Sequence, residues 1–130
     1  MANPNIVSVS SIYGESCGFA LNTTVTTTLM TVASNKLLKI NFISVTNTHA
    51  TTAVDVTIKV VKAGFTSAGI GASEDNAGTF ALASTVNLPA DDVLVLVDKP
   101  IYLMETDVLE CGASVATADI FISYEVLDDA

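Results

Sequence analysis

The sequence predicts an all-β domain: one antiparallel β-sandwich or jelly-roll-like barrel of eight to nine strands spanning residues 1–130. Short runs alternate apolar and polar residues with period two, the signature of half-buried strands. Clusters of Gly, Asn, Asp, Pro and Ser separate those runs, and almost no segment keeps a helical period. Half of the residues are apolar, yet 6% are aromatic and Trp is absent, so the core must be built from Val, Ile, Leu and Ala. Such β-branched composition favours sheet over helix. At 130 residues the chain buries about two-thirds of its unfolded surface, enough for a core without staples.

The elements follow in order. Ile6 to Ser10 alternates and reads as a short first strand, ended by Tyr13-Gly14. Phe19 to Leu29 is threonine-rich and reads as one edge strand, with Leu21, Val25 and Leu29 inward. Thr31 to Asn35 breaks the pattern as a helical turn or wide loop. Lys36 to Asn47 resumes as a strand whose inward parity changes between Phe42 and Ile43, as a β-bulge produces. After a turn at Asn47 to Thr52, Ala53 to Lys62 places Val54, Val56, Ile58 and Val60 on one face. Ala63 to Gly78 holds four of the seven glycines and reads as a long mobile loop, a first candidate for contacts.

Thr79 to Leu88 is a further strand, and Pro89 to Asp92 turns the chain into Val93 to Val97, five consecutive apolar residues. Such a run predicts a strand covered on both faces, either in mid-sandwich under a loop or with its outer face against another subunit. Ile101 to Met104, Val108 to Ala113 and Asp119 to Val126 complete the set.

The charge balance argues against two classes of partner. Five lysines, no arginine and fourteen acids give a net charge of −9, which opposes the counterion release that drives nucleic-acid binding and repels anionic membranes. Net acidity instead keeps an apolar small protein soluble. Residues 1–20 lack a basic region followed by an apolar one, and no apolar run approaches bilayer length, so synthesis in the cytoplasm is expected.

Little points to catalysis, and no enzyme activity or cofactor is expected. The single histidine, His49, falls in a turn and reads as solvated. Cys17 and Cys111 lie 94 residues apart with no Cys-x-x-Cys; with one histidine they cannot complete a zinc site unless subunits share it. Reduced, largely buried thiols are expected, with a disulfide as the alternative. Acidic pairs at Glu74-Asp75, Asp91-Asp92 and Asp128-Asp129, and the Glu105-Thr106-Asp107 turn, lack metal-selecting spacing. Gly69-Ile70-Gly71 has neither the lysine nor the helix of a phosphate loop.

Both ends of the chain carry a resemblance. Met1-Ala2-Asn3-Pro4-Asn5-Ile6-Val7, continuing to Ser11-Ile12-Tyr13-Gly14, resembles the start of small virion structural proteins of tailed phages, particularly marine cyanophages. Pro100-Ile101-Tyr102-Leu103, Glu105-Thr106-Asp107 and Ile120-Phe121-Ile122-Ser123-Tyr124-Glu125 are similar to the closing strands of that group, whose acidic turn more often reads Glu-Gly-Asp. The resemblance implies a virion component, and within that class a capsid decoration (cement) protein on the capsid exterior. Such proteins commonly sit as trimers, so it implies a homotrimer bound to the major capsid protein.

On this reading Asn3, Pro4, Asn5, Ile6 and Val7, within the apolar segment up to Val9, augment a sheet of the partner, or else close the domain's own sheet. Val93, Val95 and Val97 help to bury an interface between subunits. The rival is a receptor- or glycan-binding module of a tail, baseplate or head fibre. It would use the loop Ala63 to Gly78 and the face Thr23 to Thr28, with Tyr13, Phe65, Phe80 and Tyr102 as aromatic platforms.

Overall fold

The computed structural model describes residues 9–21, 27–64 and 77–129. Nine strands occur among them: β1 (Ser11–Leu21), β2 (Thr27–Thr31), β3 (Lys36–Asn47), β4 (Val54–Ala63), β5 (Ala77–Leu88), β6 (Val93–Val97), β7 (Ile101–Leu103), β8 (Val108–Ala113) and β9 (Ala118–Asp128). One sheet has the order β1-β9-β3-β6, with β7 also paired to β3; the other has the order β2-β8-β4-β5, and all pairings are antiparallel. Every connection except β4–β5 and β6–β7 passes from one sheet to the other. Two sheets in this order form the jelly-roll version of the β-sandwich.

The core lies between the inner faces. Ile40, Ile43, Val45, Ile120 and Ile122 of the first sheet meet Val54, Val56, Ile58, Leu109 and Cys111 of the second, and all are nearly or wholly buried. Strict alternation does this on β4, where Val54, Val56, Ile58 and Val60 are buried and the residues between them half-exposed. β3 loses strict alternation at its bulge. Its register against β9 slips between Ile40 and Phe42, so Ile40 and Ile43 both point inward. A parity change does occur in β3, but at Asn41, the residue skipped in the pairing with β9, and not between Phe42 and Ile43 as predicted; Phe42 is only half-buried.

Two fully buried polar residues close the two ends of the sandwich. At one end, the Asn47 side-chain amide donates to the carbonyls of Thr52 (2.8 Å), Leu88 (3.2 Å) and Pro89 (3.2 Å). Its Oδ1 accepts from the His49 amide and the Thr117 hydroxyl, both at 3.0 Å. One residue thus ties the β3–β4, β5–β6 and β8–β9 connections together. At the other end, the Asp107 carboxylate accepts from the Ala63 amide (3.0 Å), the Met104 amide (2.8 Å) and the Lys62 ammonium. Its carbonyl takes the Val32 amide at 3.0 Å. At this same end Ser10 donates to the Asp128 carbonyl through its amide (2.9 Å) and its hydroxyl (2.8 Å).

Several expectations need correction. Tyr13-Gly14 does not interrupt the first strand: it lies inside β1, paired with Val126 and Glu125. Phe19 to Leu29 is not one strand, because Phe19 to Leu21 close β1 in one sheet while Leu29 belongs to β2 in the other. Threonine-rich sequence carries strand propensity through a change of sheet and so hides the corner. Thr31 to Asn35 is not helical; β2 ends at Thr31, and Asn35 turns the chain with φ 59°. Val93 to Val97 is not in mid-sandwich: β6 is an edge strand, and its outward side chains are bare in the single chain. Ile6 and Val7 of the predicted first strand, and Val25, lie outside the described residues.

Candidate binding surfaces

The sequence-predicted contact residues separate into two groups. Asn3, Pro4, Asn5, Ile6 and Val7 lie outside the described residues, as do positions 65–76 of the long loop and 22–26 of the threonine face. Val93 and Val95 project from the outer face of β6, each 50% exposed, opposite Thr46 and Ser44 of β3. Val97 turns inward instead, buried opposite Ile43. On the same outer face Ser44 is also paired with Phe121 of β9, so Phe121, Ser44 and Val95 form a row across the sheet. Phe121 is 49% exposed and lies beside Gly18 of β1, with which it pairs.

Other large apolar side chains are exposed at the edges. Phe80 and Leu82 lie on β5, Tyr102 on β7, and Ile12 and Tyr13 on β1. Register shifts near Leu82 and between Ala83 and Val86 explain part of this, since bulges interrupt the alternation that would have turned these residues inward. The second places Thr85 at φ 50°, its amide held by the Thr57 hydroxyl at 3.0 Å. Between the β5 edge and the β6–β7 edge runs a groove of about 270 Å³, lined by Leu82, Leu96, Val97, Ile101, Asp98 and Lys99.

Several titratable groups are engaged structurally. His49 is half-buried, and its Nδ1 accepts from the amides of Thr51 (3.1 Å) and Thr52 (3.0 Å), so it shapes the turn. Asp92 accepts from the Val93 amide (2.8 Å), Asp128 pairs with Lys36 (2.6 Å), and Glu105 accepts from the Asn35 amide (3.3 Å). Both thiols are free; burial pushes Cys111 up to about 12 and is also the main cause raising Cys17, so neither is a ready thiolate nucleophile. Tyr124, which donates to Glu15 at 2.9 Å, is pushed up to about 12 by burial and then by that bond. Among the described residues no three His, Cys, Asp or Glu side chains gather to hold a metal ion.

Sequence reasoning missed Phe121, Ile12 and Leu82 as exposed apolar groups, because alternation alone does not say which sheet face lacks a cover. It placed Asn47 and Asp107 in turns without seeing that both are buried. A polar residue bordered by a long apolar strand is the available signal for Asn47.

No family model matches the chain, and no curated protein does. A crystal structure of the infectious bursal disease virus VP2 subviral particle is similar at 16% identity and a TM-score of 0.41, covering 92% of this chain. The chain spans 33% of the length of that protein.

Proposed function

We propose that the chain is a virion structural protein of a tailed phage, working as a capsid decoration protein that binds the major capsid protein on the outside of the shell. One observation carries the choice of a surface-binding role. Of the nine large apolar residues left exposed among the described residues, all but Val115 lie on strands, and they sit on sheet edges and outer faces. A chain that recognised a small ligand would gather its apolar and polar groups in a concave pocket. Here they are spread over broad surfaces, as a clamp between larger bodies requires.

The jelly roll is common to viral capsid and lectin domains, so fold alone does not choose between decoration and glycan recognition. Tyr13 favours neither: it is on the opposite edge from Phe80 and Tyr102, so these three rings make no shared platform. The resemblance of the end segments to small phage virion proteins supports the decoration reading. In it, Asn3 to Val7 augments a sheet of the capsid protein, Val93 and Val95 cover a subunit boundary, and the molecule acts as a homo-oligomer, a trimer by resemblance. Its role is mechanical and non-enzymatic. Many modest contacts over a shell add up through multivalency.

The test is co-sedimentation of purified protein with emptied, expanded capsids of the source phage. Saturable binding at a fixed copy number per capsid subunit is the expected result. Failure to bind, together with specific hits on a glycan array, would overturn it in favour of the receptor-binding rival.

A further inference from the structure

β1 is a sheet edge that the fold leaves unprotected. It has 11 residues, each pairs one-to-one with β9 without a register shift, and no described strand lies on its other side. The remaining edges are broken. β2 and β6 have 5 residues each and one register shift, β7 has 3 residues, and β5 is interrupted by two shifts. Natural sheets blunt an open edge with lysine, proline, bulges or a short strand, and β1 has none of these.

Side chains do little to screen its backbone. Gly14, Ser16, Gly18 and Ala20 alternate along the outer face, and all four are small and exposed. The one charged residue, Glu15, is held back over β9 by the hydroxyl of Tyr124, its cross-strand partner, at 2.9 Å. On the inner face Cys17 and Phe19 pack against the core. Beside this edge a gap of about 230 Å³ opens between β1 and β2, lined chiefly by Phe19, Leu21, Leu29 and Cys111.

We infer that β1 receives an extended segment of another protein, which adds to the sheet as a further strand and sends an apolar side chain into the gap. A row of backbone N–H and C=O groups at strand spacing is matched in register by another extended backbone, which selects a polypeptide as the occupant. A second copy of β1 offers such a backbone but fits it poorly. Full antiparallel overlap of two β1 strands sets Glu15 opposite Cys17, so the two Glu15 side chains lie diagonally across from each other on one face, and two chains of −9 are joined. The segment is therefore neutral or basic, with apolar residues at alternate positions, and the net charge of the chain steers it in. The inference rests on the capsid-binding reading and deepens it: Asn3 to Val9 runs on through Ser10 into β1, so this edge continues the contact proposed for that segment.

The experiment is hydrogen–deuterium exchange of the full chain, free and bound to emptied, expanded capsids of the source phage, together with capsid binding by Ser16→Pro and Cys17→Pro. Successive residues of a strand turn their N–H groups to opposite sides, so one proline breaks a bond to β9 and lowers Tm, while the other removes only an outward donor. On binding, the outward amides of β1 are expected to exchange at least about 10-fold more slowly, as amides within a formed ladder do. The proline variant that keeps the parent Tm is expected to bind at least about fivefold more weakly, having lost one hydrogen bond to the added strand. Capsid binding with β1 exchange unchanged, or parent-like binding by that variant, overturns the inference and leaves the decoration reading standing. Slowed β1 exchange that appears in the free chain as its concentration rises also overturns it, by assigning the edge to a second copy. Failure to bind capsids at all overturns the decoration reading and this inference with it.

Discussion

Replacing Asn47 by alanine removes the fastener of one end of the sandwich. The side chain is 0% exposed and satisfies three carbonyls, one amide and one hydroxyl from three separate connections. Its amide has two hydrogens, so two of the three carbonyl contacts share one; four hydrogen bonds' worth of interaction is at stake. At about 1 kcal/mol each, they sum to about 4 kcal/mol. The Leu88 carbonyl is buried in this arrangement, while the groups around Thr52, Pro89, His49 and Thr117 are partly open to rehydration, so the net loss falls to about 3 kcal/mol. With an unfolding entropy of about 2.1 cal/mol/K per residue, 130 residues lose roughly 11 °C of Tm. Urea unfolding and calorimetry measure both quantities. Thr117→Val, which removes one of these bonds, sets the scale at about 1 kcal/mol. If Asn47→Ala came within about 1 kcal/mol of the parent, buried hydrogen bonding would not be what holds this end closed.

Two further outcomes follow from the geometry. Thr106 has φ 69°, a conformation that suits glycine, so Thr106→Gly relieves left-handed strain of about 1 kcal/mol and raises Tm by a few degrees; an unchanged or lower Tm contradicts this. Because Tyr124 holds its proton up to about pH 12 in the folded chain, against an ordinary value near 10, its contribution to stability is complete below pH 10 and is lost as pH rises to 12. Phenolate absorbance of the three tyrosines therefore includes a late step that Tyr124→Phe abolishes, and a titration already complete below about pH 11 would refute the assignment.

Much of the fold was legible because two-residue alternation is a local signal of burial. β3 was bounded correctly at Lys36 and Asn47, β8 at Val108 and Ala113, and the existence of a bulge in β3 was visible in the apolar pattern, although it falls at Asn41 and not between Phe42 and Ile43. The corner between β1 and β2 was not legible, because threonines suit a strand in either sheet. For β6 the five apolar residues left two places open, mid-sandwich or an outer face against another subunit, and only sheet order, which depends on distant pairing, puts the strand at an edge with Val93 and Val95 exposed in the single chain. The candidate surface was half legible. Val93 and Val95 stood out within an apolar run and Phe80 as a candidate aromatic platform, whereas Leu82 is exposed by sheet order and by a register shift on β5, which depend on pairing between distant segments.

The adjacency of Ser10 and Asp128 determines how the molecule carries tension. β1 and β9 are antiparallel neighbours, and the start of one is bonded to the end of the other. Force pulling these two points apart loads the outermost rung of the ladder alone, so the pair unzips bond by bond. Force entering through the outer faces and edges of the sheets is shared by many rungs at once and by the polar fasteners at both ends. Pulled at these two points, a molecule built this way opens one bond at a time.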